Sequence, residues 1–205
     1  MKKLIPLLLL LGGAVSGFAQ GTVNFRNNVQ ATPDPVNPNG AHWVYAAGSP
    51  IDSTTGVGLV GTQYVAELYA GTSAGSLTPI TASISRFRQT TSSNVGRWGT
   101  ATIAGVANDS VVLPGILPAG TAFLQVAVWN YDANGGAGNA NNTFENAAGL
   151  KNASLVFTYK VASPGDPPAN FVMENLPGFA LVPEPSAIAL GVMGVAGLLL
   201  IRRRK

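Results

Sequence analysis

Between Gln20 and Leu181 no long stretch sustains the 3.6-residue apolar period of an amphipathic helix, so this part of the chain is restricted to folds built from strands. Apolar residues alternate instead over short runs bounded by Gly, Pro and Asn. In TQYVAELYA, residues 62–70, Tyr64, Ala66, Leu68 and Ala70 share one face, and Gln63, Val65, Glu67 and Tyr69 share the other. In TAFLQVAVWNY, residues 121–131, Phe123, Gln125, Ala127, Trp129 and Tyr131 oppose Leu124, Val126, Val128 and Asn130. That run is apolar on both faces, which predicts a central strand with Trp129 in the core. SLVFTYKV, residues 154–161, sets Leu155, Phe157, Tyr159 and Val161 against Ser154, Thr158 and Lys160. Further strands are expected at 22–26, 43–46, 80–88, 99–103 and 171–173. Short strands with frequent breaks predict an all-β ectodomain, an antiparallel β-sandwich or jelly roll.

At 205 residues the chain has room for one such domain plus processing segments. Its formal charge of +3 misleads, because Lys2, Lys3, Arg202, Arg203, Arg204 and Lys205 all lie in the terminal segments. Between Gln20 and Val182, six Lys and Arg stand against eight Asp and Glu, a formal charge of −2. There is no basic stripe, and nucleic-acid binding is disfavoured. Cysteine is absent, which removes disulfides, zinc–thiolate sites and thiol catalysis.

The first residues, MKKLIPLLLLLGGAVSGFAQ, place two lysines before an apolar run and small residues at Gly17 and Ala19. This is the layout of a secretory signal peptide over 1–19, cut by signal peptidase between Ala19 and Gln20. Cuts after Ser16 or Gln20, and a buried helix, are the competing readings. At the other end, 186–201 is 16 residues without a charge. As a helix it would span about 24 Å, short of the ~30 Å hydrocarbon core, so length alone leaves it ambiguous. The basic tail Arg202, Arg203, Arg204 and Lys205 resolves the ambiguity as a stop-transfer cluster whose long side chains reach the lipid headgroups. With an exported N-terminus, the positive-inside rule leaves the body outside the membrane. A signal helix and a transmembrane helix are thus expected to flank the ectodomain.

Pro183-Glu184-Pro185, the apolar stretch 186–201 and the Arg cluster 202–205 closely resemble the PEP-CTERM sorting signal, in the same order and over residues 182–205. The resemblance implies handling by exosortase, a membrane-embedded protease–transpeptidase that cuts near the Pro-Glu-Pro motif. It also implies a Gram-negative bacterium that makes exopolysaccharide or biofilm matrix. The body, 20–181, resembles a recurrent β-rich group in that class through GTVNFRN, GTQYVAELYAGTSAGSLTPI, VVLPGILPAGTAFLQVAVWNYD, LVFTYK and NLPGFALVPEP. That likeness implies a location and no activity.

Chemistry-bearing motifs in the body are few. GTSAG, Gly71 to Gly75, fits the G-x-S-x-G nucleophile elbow, which needs a helix after the serine and a histidine later in the chain. Here loop and strand follow, and the single histidine, His42, lies upstream. A hairpin loop is the expectation, with His42 a partly exposed structural residue. DANGGAGNANNTFE offers Asp132, Asn134 and Glu145 as calcium ligands but departs from an EF-hand loop, so a flexible Asn- and Gly-rich loop is expected. Trp98, beside Arg97, is the tryptophan best placed to face a sugar ring. No catalytic, metal or cofactor residues are expected, since Glu67 and Asp109 form no recognisable acid–base motif. The expectation is a non-enzymatic surface or matrix protein, membrane-anchored before C-terminal processing. The alternative is a carbohydrate-binding jelly roll engaging exopolysaccharide.

Overall fold

The computed structural model describes residues 20–27, 42–52, 54–89, 95–99, 102–105, 107, 110–162 and 173–183. Residues 1–19, Glu184, Pro185, the segment 186–201 and the tail 202–205 lie outside these, so the expected signal and transmembrane helices do too. The described residues form an all-β fold of ten strands, with one three-residue 3-10 turn, Gly136–Gly138. The main sheet is antiparallel throughout.

The expected central strand forms its axis. β6 (Thr121–Asn130) pairs along its length with β3 (Tyr64–Gly71), from Tyr64↔Asn130 to Gly71↔Phe123. Beyond β3 lies the edge strand β4 (Thr78–Arg86). On the other side of β6, β8 (Phe157–Lys160) covers its first residues and β7 (Leu150–Ala153) its last. β7 and β8 are separated by a kink at Ser154, whose N–H donates to the Val126 carbonyl at 2.8 Å. Its Oγ accepts from the Val126 N–H at 3.0 Å. The kink resets the alternation of the run 154–161, so Phe157, Tyr159 and Val161 are buried as expected while Leu155 is exposed.

Two small pairings complete the fold: β1 (Gly21–Val23) with β5 (Val111–Leu113), antiparallel, and β2 (Val44–Tyr45) with β9 (Phe179–Ala180), parallel. β10 (Val182–Pro183) pairs with β7 at an edge, where a proline's missing N–H costs no ladder bond. Val182 and Pro183, assigned from sequence to the sorting segment, therefore belong to the sheet. Of the strand expected over 99–103, the described residues 99, 102 and 103 are not in a strand, and 100–101 lie outside the described residues. Gly99 and Ile103 each donate one 2.7 Å bond, to Arg86 and Ile84 of β4, and Thr102 to Gly105 is a turn.

The period-2 pattern separates two apolar clusters. Tyr64, Ala66, Leu68 and Ala70 of β3 and Ala122, Leu124, Val126 and Val128 of β6 face the main core, with Phe25, Phe87, Leu113 and Met173. On the opposite sheet face Val65, Trp129, Tyr131 and Ala147 form a smaller cluster, with Ile84 and Phe144 against it. This second cluster lies beneath the connection from β6 to β7, residues 131–149.

Candidate functional site

Two departures from regular geometry open a cleft on this second face. The first is in the β3–β4 ladder. Ala66 pairs with Ser85 and Leu68 with Ile80, so one residue of β3, Glu67, faces four of β4, Thr81 to Ile84. A bulge this wide breaks the ladder and re-aims side chains. Ser83 turns its hydroxyl inward to accept from the Leu68 N–H at 2.8 Å, repairing a backbone bond that the bulge removes.

The second departure is the 131–149 connection, which folds back over the sheet instead of turning tightly. Gly135 and Gly136 take φ of 90° and 56°, a left-handed path that side chains disfavour. Asn142, buried, holds the loop down. Its Oδ1 accepts from Trp129 Nε1 at 3.0 Å, and its Nδ2 donates to the carbonyls of Tyr131 at 2.8 Å and Gly136 at 3.0 Å. At the loop's start Arg86 bridges Asp132 at 3.0 Å and lies over the Tyr131 ring.

Between bulge and loop is a cleft of about 180 Å³ lined by Glu67, Pro79, Thr81, Ile84, Tyr131, Asn139, Asn142, Thr143 and Glu145, among others. Glu67 is 2% exposed. Glu145 is exposed, and its Oε1 accepts from the Tyr69 hydroxyl at 2.5 Å. Burial, then the nearby Glu145 charge, pushes the Glu67 carboxyl up to about 7, against hydrogen bonds from Thr81 and Tyr69 that favour ionisation. Burial also acts to raise Glu145. Hydrogen bonds from Tyr69, its own backbone N–H and Thr143, with the charge of Lys151, outweigh it and hold Glu145 below its ordinary value. Tyr69 is pushed up by burial and by its bond to Glu145, so it stays a donor. The cleft therefore presents one carboxyl that is easily protonated and one that is ionised, bridged by a tyrosine.

Of the residues singled out from sequence, Glu145 lines the cleft, GTSAG forms the expected hairpin, and Trp98 and His42 are buried away from it. Trp98 is 2% exposed: its indole N–H donates to the Phe25 carbonyl at 2.8 Å, and its ring packs on Phe25 and Phe87. It is a core residue with no face open to a glycan. His42 is buried, not partly exposed, and its Nδ1 donates to the Leu176 carbonyl at 2.5 Å. GTSAG is a hairpin turn: Gly71 ends β3, Ser73 and Ser76 share a hydroxyl bond of 2.7 Å, and Thr78 begins β4. The three candidate calcium ligands are separately engaged, Asp132 by Arg86, Glu145 by Tyr69, and Asn134 Oδ1 by the Ala148 N–H at 3.0 Å. Among the described residues no group of three His, Cys, Asp or Glu is placed to hold a metal. Glu67, set aside from sequence because it forms no acid–base motif with Asp109, carries a different signal: it is the one charged residue in an otherwise apolar strand, and buried glutamates are rare unless paired.

No family model, curated protein or solved structure matches the chain.

Proposed function

We propose that the chain is exported and sorted by an exosortase-type protease. In this reading it works at the cell surface or in an extracellular matrix, as a non-catalytic structural or adhesive protein of β-sandwich or jelly-roll type. The observation that carries the reading is the order Pro183-Glu184-Pro185, an uncharged stretch 186–201 and the tail Arg202 to Lys205. Support also comes from β10, which brings the folded body up to Pro183 and leaves no long linker before the motif. Signal peptidase, the sorting protease and membrane lipid are the partners this implies. Intact-mass analysis of the mature protein, with cell fractionation, tests it. Wild type is expected to lose residues 1–19 and to be cut near 183–185. Glu184→Ala, or removal of residues 202–205, is expected to change the mature mass or the location. Unchanged mass and location in both variants contradict the reading.

The cleft favours a second reading, a carbohydrate-binding module for exopolysaccharide. It offers carboxyl, hydroxyl and amide groups beside the Tyr131 ring, a few polar groups converging on a concave site. A glycan array on the wild type, repeated with Asn139→Ala and Thr143→Ala, tests it. Retained binding by both variants places any glycan site elsewhere.

A further inference from the structure

We propose that the Glu67–Glu145 cleft binds a primary ammonium group carried on a small hydroxylated body, an amino-sugar unit being the chemistry that fits. The inference rests on the carbohydrate-binding reading and narrows it to one charge class.

Three observations carry it. First, the cleft has carboxyls at floor and rim, and no Lys or Arg is among its lining residues. Glu67 is buried and has no ionic partner among the described residues, which is costly for the charged form. Among the described residues the nearby cations serve groups other than Glu67: the charge of Lys151 acts on Glu145, and Arg86 on Asp132. Lys151 Nζ donates to the carbonyls of Phe144 and Glu145 and lies over the Phe144 ring, while Arg86 bridges Asp132. A ligand ammonium supplies the missing countercharge and lets both carboxylates accept charge-assisted bonds.

Second, the remaining lining groups suit hydroxyls. Thr81, Asn139 and Thr143 are partly or fully exposed at the cleft, and Pro79, Ile84 and Tyr131 supply apolar wall. Third, the cleft is small, about 180 Å³, which suits one sugar unit rather than a chain segment. The same charge arrangement repels uronates and other acidic sugars.

Proton linkage distinguishes this site from a neutral-sugar site. Among the described residues the titratable groups facing Glu67 are Tyr69 from its own strand and Glu145 and Tyr131 from the loop, with Arg86 of β4 over the Tyr131 ring; Lys151 on β7 acts on Glu145. A cation binding beside Glu67 favours its ionised form, so association releases a proton below about pH 7, and affinity rises with pH up to that point.

The experiment is calorimetry at pH 6 in two buffers of different ionisation enthalpy, with a glucosamine trimer, its N-acetylated counterpart and a glucuronate oligomer. The glucosamine trimer is expected to bind and to release a fraction of a proton. The other two are expected to bind at least 10-fold more weakly. Glu145→Gln, at the exposed rim, weakens the glucosamine trimer at least 10-fold. Glu67→Gln does the same and abolishes proton release, with circular dichroism reporting its fold. Equal binding of the N-acetylated trimer overturns the ammonium inference while leaving carbohydrate binding intact. No binding of any oligomer overturns both. Calcium that competes with the trimer at equal concentration identifies a metal site and also overturns the inference.

Discussion

The indole N–H of Trp129 donates to Oδ1 of Asn142 at 3.0 Å, tying the last turn of the central strand's face to the loop that covers it. The same amide donates to the Tyr131 and Gly136 carbonyls, which also accept backbone N–H bonds within the loop, while the buried Trp129 N–H relies on Asn142. Asn142→Ala is expected to cost about 1–3 kcal/mol for the buried donor it strands. The exposed neighbour Asn141→Ala is expected to change stability by less than about 0.5 kcal/mol. Urea unfolding of the two variants checks this; equal midpoints contradict it.

Trp98 is a structural residue, and its removal has a structural signature. Trp98→Ala empties a site between Phe25 and Phe87 and strands the Phe25 carbonyl. A loss of about 3–5 kcal/mol is expected by thermal or urea unfolding. A variant as stable as wild type contradicts the core placement.

Glu67 makes stability depend on pH in a direction opposite to that of most carboxylates. Its folded-state value is raised, so the unfolded chain ionises first, and native stability falls as pH rises from about 4.5 through about 7. Glu67→Gln removes this dependence. The variant is expected to gain on wild type across that window, by up to about 3 kcal/mol, and to hold the difference above it. Urea midpoints at pH 4, 6 and 8 check the trend. A difference that does not change with pH contradicts it.

The strand alternation of β3 and β6 was legible in the sequence because each carries an unbroken period-2 pattern set by its apolar residues. Tyr64, Ala66 and Leu68 face the core that their spacing assigns them, and Trp129 is buried. What the pattern does not encode is where the pairing slips. Four residues of β4 opposite Glu67, and the kink at Ser154, arise from long-range hydrogen bonds of Ser83 and Ser154, and serines carry no strand signature. β5, β9 and β10 are two or three residues long, too short to show a period. The cleft depends on residues from β3, β4 and the 131–149 loop that lie far apart in sequence. Glu145 was visible as an oxygen donor, yet its partner Tyr69 stands 76 positions away. Trp98 reads as exposed from its Gly and Arg neighbours; the aromatic pocket that buries it is made by Phe25 and Phe87 from two other segments.

The closed loop, the bulge and the cleft meet in one carboxyl group, and its titration tests the account most directly. Carbon-13 NMR of the Glu67 side-chain carboxyl, assigned by its disappearance in Glu67→Gln, is expected to show a midpoint at about 7, moving down when Asn142→Ala releases the loop. A Glu67 carboxyl that titrates at the ordinary glutamate value of 4.5 in the wild type would contradict the buried, unneutralised floor on which the site is built.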